Sequence, residues 1–578
     1  MRTLRLAMAQ INTTVGDLEG NTAKVLEWIE RARGVEADLV AFPELALTGY
    51  PPEDLLFKAH FFRDSRACLD RVIAASRGMT VVVGFVDAQG EAYNAAAVAH
   101  NGSLVGVYHK IFLPNYGVFD EERYFKAGTT CPVYVIDGVA IGVNVCEDIW
   151  YAGGPTAVQQ RAGAEVIVNI NSSPFHAGKR DFRERMLATR ASDNQLFLAY
   201  VNMVGGQDEL VFDGASLIFD PEGECVAAGH QFEEDLVVAD LNVEGVFRHR
   251  LKDPRVRKAP IAVGEIGQPK VIHVPDASPR GTTPSPLPQA KPQRYEGAAE
   301  VYEALVLGVR DYVQKSGFKR VLIGMSGGID SSLTAAIAVD ALGKENVQGV
   351  SMPSRYTSEP SEVDAAVTCK NLGMDLWTIP IEGPFTAILD VLSETFAGTE
   401  SGVAEENLQA RIRGNILMGI SNKFGWMVLT TGNKSEMATG YATLYGDMAG
   451  GFAALKDVPK TLVYEASEYR NSKGPVAVIP DNVMIKAPTA ELRENQKDED
   501  SLPPYSVLDP IIRAYVEEDW SFEDMVDVGH DAEIVKRVIS MVDRNEYKRR
   551  QAPPGVKITP RAFGRDRRLP IVNKYRHF

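Results

Sequence analysis

The stretch Arg320–Leu333, RVLIGMSGGIDSSL, restricts the fold of this chain more than any other. Val321, Leu322 and Ile323 form a short apolar, β-prone run, and Ser326-Gly327-Gly328 breaks it. From Leu333 onward (LTAAIAVDAL) spacing and composition are helical. A buried strand passing through a glycine-rich turn into a helix brings backbone N–H groups together at the positive end of a helix dipole, the layout of a phosphate site. No Gly-x-x-x-x-Gly-Lys-Ser/Thr occurs in the chain, so the common ATPase loop is excluded. The pattern is Ser-Gly-Gly-x-Asp-Ser, with Asp330 directly before Ser331 and Ser332. The bland alternative is a helix that merely starts after a glycine turn, with Asp330 and Ser331 as caps.

The surrounding second half alternates helix and strand. Tyr295–Gly317 reads as an amphipathic helix, Val347–Met352 as a strand and Pro360–Leu372 as a helix. Leu376–Ile381 reads as a strand, Glu405–Phe424 as a long helix and Met427–Thr431 as a strand. That alternation predicts a doubly wound parallel sheet, whose ligands bind at the carboxyl ends of the strands. The Ser326 turn, Ser351–Arg355 and Thr430–Glu436 (TTGNKSE) are therefore expected to meet, with Asp447 following in YGDMAGGF. A helix dipole is worth only about 0.3–2 kcal/mol, too little to hold a triphosphate alone. Magnesium held by one or two carboxylates and phosphate oxygens would assist, and Asp330 with Glu436 can supply the carboxylates. Lys460, in KDVPKTLVY, can act on a phosphate as a point charge. Otherwise Glu436 is a first-turn acid of a helix and Lys460 a solvated loop lysine.

The Ser-Gly-Gly-x-Asp-Ser turn resembles the pyrophosphate-gripping loop of enzymes that split ATP into AMP and pyrophosphate. SGGIDSS, NLQARIRGNILM, LTTGNKSE, GDMAGGFAALKDVPKTLVY and PTAELRENQKDEDSLPPY together resemble, in order, the blocks of the NAD synthetase family across about 295–578. The resemblance implies Mg²⁺, ATP and nicotinic acid adenine dinucleotide (deamido-NAD⁺). It puts ATP phosphates on Gly324, Met325, Ser326, Gly327, Gly328, Ile329, Asp330 and Ser331. Thr431 and Thr489 then contact ATP, and Asn407 and Glu436 lie at the deamido-NAD⁺ and metal site. Lys548, in EYKRRQAPPG, corresponds to a late dinucleotide-contacting lysine, with Arg549 and Arg550 as neighbouring alternatives. Ammonia-only synthetases carry a lysine where this chain has Leu444.

The first half opens with a strand, LRLAMAQ from Leu4, and a helix over about 21–33. Further strands are expected at Asp38–Phe42, Thr80–Val86, Ala95–His100, Ser103–His109, Val139–Val145 and Glu165–Ile170. Helices are expected near Asp64–Ser76, Thr156–Arg161 and Lys179–Asn194. Such a series suggests an α/β sandwich. Glu44, Lys110 and Cys146 each sit where a strand stops, the place where α/β proteins put reacting groups. A thiol to attack an amide carbonyl, a carboxylate to take its proton and an ammonium beneath the developing oxyanion suit acyl transfer. Singly, each has a plain structural reading: a core cysteine, a surface lysine, a Pro-Glu turn.

Taken together, FPELALTGYPPEDL, HKIFLPNYGVFDEERYF and GVNVCEDIW resemble the three signature segments of the nitrilase (carbon–nitrogen hydrolase) superfamily over about 1–241. The resemblance implies a four-layer α-β-β-α sandwich, with Glu44 as general base, Cys146 as nucleophile and Lys110 as stabiliser of the tetrahedral intermediate. In the glutamine-using branch, Tyr116, Ser173 and Lys179 match substrate-binding positions. Ser173 as a loop hydroxyl and Lys179 as a solvated lysine are the plain alternatives, and Glu147 and Asp148 receive no role.

Between the halves, Val274–Gln293 is rich in Pro and Ser/Thr without apolar periodicity, a linker, preceded by a mixed charged segment over Val243–Gln268. The expected division is 1–242, 243–294 and 295–578. With 578 residues two or more domains are expected, and a net charge of −16 argues against nucleic acid. The basic tail from Lys548 to Arg568 reads as facing an anionic dinucleotide, or as a solvated face. Five cysteines without a C-x-x-C pair, and no apolar run of membrane-spanning length, point to a reducing cytoplasm and no membrane partner.

A nitrilase-type glutaminase fused to an NAD synthetase implies one reaction: ammonia freed from glutamine amidates deamido-NAD⁺ through an adenylate. Relatives of this fused class form homo-oligomers, so a homo-oligomer is expected here. The rivals are a different glutamine-dependent ATP-pyrophosphatase amidotransferase, a stand-alone amidase and a scaffold with dead sites. Arg2 stands where asparagine synthetases carry cysteine, and VNVCED lacks the Gly-x-Cys-x-Gly elbow of GMP synthetases.

Overall fold

The computed structural model describes residues 2–252, 266–274, 292–575 and 578. Most of the expected linker (275–291) and part of the preceding charged segment (253–265) lie outside the described residues. The chain divides into two compact units, 1–207 with 212–295, and 208–211 with 296–578.

In the first unit two mixed sheets stack. One runs, in spatial order, Asp235–Asn242, Thr3–Gln10, Leu39–Ala41, Thr80–Ala88, Ala92–His100 and Ser103–His109. The other runs Cys225–Ala228, Leu217–Phe219, Phe197–Asn202, Val166–Asn171, Val139–Val145, Thr130–Ile136 and Gln268–His273. Strand side chains alternate between faces, and the two-residue period explains the layering. Leu4, Leu6 and Met8 pack with Val143, Val145, Val168 and Ile170 of the other sheet. Ala7 and Ala9 face the opposite way, onto Val25, Trp28, Leu69 and Val72 of the helices Leu18–Gly34 and Ala59–Ala75. On the far side, Ile167 and Leu198 meet Leu187 and Ala191 of the helix Lys179–Asn194. Each such Val, Leu, Ile or Met side chain is worth about 1.5–3 kcal/mol when fully buried, so a one-residue slip turning a whole row outward is strongly disfavoured. The result is the four-layer α-β-β-α sandwich.

The second unit holds a five-stranded, all-parallel sheet in the order Asp375–Thr378, Val347–Ser351, Val321–Gly324, Met427–Thr430, Phe452–Ala453. From Val321–Gly324 the chain first adds strands on one side. It then returns to add Met427–Thr430 on the other, so the topological switch lies between these two strands. Open α/β sheets bind ligands in that crevice.

Two boundaries differ from expectation in a way that matters. The helix after the phosphate turn begins at Ile329, not Leu333, so Asp330 and Ser331 lie in its first turn. Within the connecting segment lies a strand, Gln268–His273, paired in parallel with Thr130–Ile136 as the edge of the second sheet. No helix among the described residues is long and apolar enough to cross a membrane.

Candidate active sites

Glu44 lies in the turn after Leu39–Ala41, Lys110 directly follows Ser103–His109, and Cys146 directly follows Val139–Val145. The Glu44 turn presses against Gly84 of the neighbouring strand, where an added Cβ would lie 2.3 Å from Leu45 N and 2.4 Å from Pro43 O. Only glycine allows that approach. Cys146 adopts φ +45, a left-handed conformation unusual for a side-chain-bearing residue, at the start of the short turn Cys146–Ile149.

The structure brings these residues together in a buried charge cluster. Lys110 Nζ donates to Glu44 Oε1 and to Glu121 Oε1, both at 2.8 Å, and is fully buried. Asn94 Nδ2 donates to Glu44 Oε1 at 2.7 Å, and Ser172 N donates to Glu44 Oε2 at 2.9 Å. Tyr50 donates its hydroxyl to Glu121 at 3.0 Å. Burial pulls the Lys110 ammonium toward neutrality, but Glu121 and Glu44 together push its pKa well up. Burial raises the Cys146 thiol and Glu44 raises it further, with Lys110 acting against both. Burial also drives Glu121 up to about 7, opposed by Lys110.

Glu121 and Asp148 were not recognised as site residues in the sequence. Glu121 sits in the acidic run DEER that shares a segment with Lys110, which was the available signal. Asp148, buried, accepts from Ile111 N (3.2 Å), Phe112 N (2.9 Å), Val145 N (3.1 Å) and the Tyr108 hydroxyl (2.7 Å). One carboxylate thereby ties the segment bearing Lys110 to the segment bearing Cys146. Of the expected glutamine contacts, Tyr116 is 58% exposed and donates its hydroxyl to Glu147 at 3.0 Å. Ser173 is buried, its backbone N–H held by Asn202 Oδ1 at 3.0 Å. Lys179 opens its helix, donates to Pro174 O at 2.5 Å and lies near enough to favour the Glu147 carboxylate.

In the second unit a cavity of about 820 Å³ opens at the switch point. Gly324, Met325, Ser326, Gly328, Ile329, Asp330 and Ser331 line one side. Thr431, Glu436 and Lys460 line another, with Thr489, Asn407 and Lys548 farther round. Gly327 does not line it. Its φ is +76, and an added Cβ would meet Ser361 O at 2.1 Å, so its part is to make the turn.

The capping alternative for Asp330 is not what the structure shows. Gly328 precedes the helix without a side-chain cap, and Asp330 instead accepts from Asn433 Nδ2 at 2.9 Å and pairs with Lys460. Glu436 closes a capping box, accepting from Asn433 N at 3.2 Å. Burial first, then the Asp330 charge, push the Glu436 carboxyl well up. Asn407 accepts from the Thr443 hydroxyl at 2.6 Å, and Thr489 donates to Gln496 O at 2.6 Å.

Lys548 Nζ donates to the carbonyls of Gly440 (2.7 Å) and Ala442 (2.9 Å), flanking the Leu444 loop. Burial lowers its pKa. Arg549 and Arg550 are instead committed to Glu546, at 2.9 and 2.8 Å. Farther along the basic tail, Lys557 pairs with Asp566 and Arg567 with Asp543. Apart from Lys548 these cations are spent within the fold, not on a face for an anion.

The carbon-nitrogen hydrolase family profile matches residues 5–249, and the NAD synthase profile matches residues 301–552. A curated glutamine-dependent NAD⁺ synthetase of Thermotoga maritima is 49% identical, covering 100% of both chains. That of Aquifex aeolicus is 47% identical, covering 99% of this chain and 100% of its own. The solved structure of a glutamine-dependent NAD⁺ synthetase from Acinetobacter baumannii in complex with ADP matches with a TM-score of 0.75 at 40% identity, over 100% of both chains.

Proposed function

This chain belongs to the family of glutamine-dependent NAD⁺ synthetases, and from that premise we propose how its residues divide the work. Glutamine is the nitrogen donor, deamido-NAD⁺ the acceptor and ATP the activating substrate. The observation that carries the residue assignment is the buried Lys110, bridging Glu44 and Glu121 beside a thiol at a strand end.

With its pKa raised, the Cys146 thiol rests protonated, so its deprotonation must accompany attack. Glu44 takes the proton as sulfur adds to the amide carbon of glutamine. Lys110, kept cationic by two carboxylates, supports the oxyanion. Collapse returns the proton to nitrogen, releases ammonia and leaves a glutamyl thioester, which water cleaves to glutamate. Tyr116, Ser173 and Lys179 hold the amino-acid end of glutamine.

At the second site direct attack of ammonia on a carboxylate fails because oxide is the leaving group. A nicotinate oxygen of deamido-NAD⁺ therefore attacks the α-phosphorus of ATP, expelling pyrophosphate, and ammonia then displaces AMP from the acyl carbon. The Ser326 turn, Thr431, Thr489 and Lys460 hold ATP, and Asn407 and Lys548 hold the dinucleotide. Asp330 and Glu436, the Asp330 charge adding to burial in raising the Glu436 carboxyl, form a donor pair suited to a divalent cation. Among the described residues no group of three or more His, Cys, Asp or Glu is placed to hold a metal. Asp330 and Glu436 would hold a magnesium ion, which would supply neutralisation of charge on the nucleotide phosphates. The functional division we propose is glutaminase over 1–242, connection over 243–294 and synthetase over 295–578, in a cytoplasmic homo-oligomer.

The test is one assay with deamido-NAD⁺, ATP, Mg²⁺ and glutamine, reading NAD⁺, AMP, pyrophosphate and glutamate together; near-equal yields are expected. ADP in place of AMP, or indifference to deamido-NAD⁺, would overturn the reading. Omitting Mg²⁺ should stop NAD⁺ and AMP formation alike.

A further inference from the structure

We infer that Arg413 grips a phosphate group of the nucleotide bound in the synthetase cavity, donating its terminal guanidinium nitrogens to non-bridging oxygens. The inference rests on the reading that this cavity takes ATP and deamido-NAD⁺.

The helix Val403–Phe424 turns one face to the cavity, presenting Asn407, Ala410, Arg413, Gly414 and Leu417 at helical intervals of three and four. Gly414 keeps that face close, since an added Cβ would lie 2.8 Å from Gly446 O. Arg413 Nε donates to Met352 O at 3.0 Å, which anchors the guanidinium and sets its plane. Met352 follows Val347–Ser351, the strand paired with that of the phosphate turn, Gly324 lying opposite Val350. Arg413 is therefore fixed beside the turn at the carboxyl ends of two adjacent strands.

Its remaining donors have nothing to bind. Among the described residues Arg413 forms no ion pair, and its terminal nitrogens have no hydrogen-bond partner. The neighbouring cations differ. Lys460 is paired with Asp330, Lys486 with Asp364 at 3.1 Å, and Arg493 with Glu406 and Asp500. Burial presses the Arg413 pKa down to about 10, with the charges of Glu491 and Asp447 acting against it. A partly buried guanidinium on the cavity wall, anchored through Nε and lacking a carboxylate, leaves its terminal nitrogens open to an anion. Its planar fork matches two oxygens of one phosphate, which a lysine cannot do.

ATP and the pyrophosphate bridge of the dinucleotide offer the same chemistry, and binding measurements separate them. Arg413→Ala and Arg413→Lys would be titrated in the full chain with ATP, deamido-NAD⁺ and NAD⁺ singly. NAD⁺ shares the bridge but lacks the carboxylate. Melting temperature and nucleotide-free glutamine hydrolysis matching the parent report that a variant is folded. The expected result is at least a tenfold loss of affinity in Arg413→Ala, for ATP if its phosphates are held or equally for both dinucleotides if their bridge is. Arg413→Lys should recover only part of it, and should carry the measurement alone if the alanine variant does not fold. Loss confined to deamido-NAD⁺ would mean that Arg413 holds the nicotinate carboxylate, and would overturn the inference. Parental affinity for all three would overturn it too. If instead the unaltered protein makes no NAD⁺ from deamido-NAD⁺, ATP and ammonium, the reading of the cavity itself fails.

Discussion

The two sites solve the burial of charge in opposite ways. In the first unit every ionised group at the reaction centre is already paired: Lys110 with two carboxylates, Glu44 with Lys110, Asn94 and Ser172 N. In the second unit Asp330 pairs with Lys460 yet its charge still adds to burial in raising Glu436, and Arg413 and Lys548 donate to backbone carbonyls and to no carboxylate. A site that forms a covalent bond to a neutral amide must be complete before substrate arrives, because its nucleophile and base are its own atoms. A site for a triphosphate and a dinucleotide is completed by the charge its ligands bring. Substitutions should therefore act at different stages: on the chemical step in the first site, on ligand binding in the second.

The largest break in that comparison is Cys146→Ala. Glutamine-driven NAD⁺ formation should fall by at least about a thousandfold, while synthesis from ammonium stays within about twofold. Loss of both would make Cys146 a structural residue. Next is Asp330→Asn. AMP and NAD⁺ formation should fall about a hundredfold with either nitrogen source, while glutamate release without nucleotide persists. Isotope exchange of pyrophosphate into ATP, supported by deamido-NAD⁺, is the direct readout. Unchanged exchange would remove Asp330 from the metal pair.

How much of this was legible depends on whether neighbours in space were also neighbours in sequence. The phosphate turn was readable because strand, glycines, Asp330 and helix are contiguous, and its parallel sheet followed from alternation. Glu44, Lys110 and Cys146 each lay at a strand end, a local signal. The pairing of Lys110 with Glu121 was not local in consequence: the loop between them, which sets them eleven positions apart, folds back to bring them together, and only the acidic run hinted at it. Gln268–His273 was missed because five of its six residues are exposed and it shows no alternation; its register comes wholly from Thr130–Ile136, a strand obscured in sequence by Pro132. Arg413 lay inside a recognised block, but a charged residue on a long helix reads as solvated until the helix face is known.

Glu121→Gln tests the paired site through pH. Burial raises the Glu121 carboxyl from an ordinary 4.5 to about 7, so below that pH it carries a proton and Lys110 loses one anionic partner. Glutamine hydrolysis should therefore decline with a one-proton slope as pH falls through about 7, and the glutamine variant should lose that limb. Stability carries the opposite sign. The folded state holds the proton more tightly, so this group's stabilisation is full below about 4.5 and lost as pH rises through about 7. Melting temperature of the variant should vary less across that window. Coincident pH profiles for parent and variant would show that Glu121 does not control Lys110.

The smallest effect is expected where the first site most resembles the second, at its exposed rim. Tyr116 is 58% exposed, and its hydroxyl meets both oxygens of Glu147 at 3.0 Å, an arrangement that a ligand carrying its own charges can rearrange. A hydrogen bond to a charged acceptor is worth about 1.5–3 kcal/mol when shielded and less at the surface, so Tyr116→Phe should cost about three- to tenfold. The comparison fixes which constant moves. A residue that touches only the amino-acid end of glutamine interacts equally before and during attack, so KM should rise with kcat unchanged. A fall in kcat at constant KM would instead draw Tyr116 and Glu147 into the chemistry beside Cys146, and the division between a closed reacting cluster and an adaptable rim would have to be redrawn around Glu147.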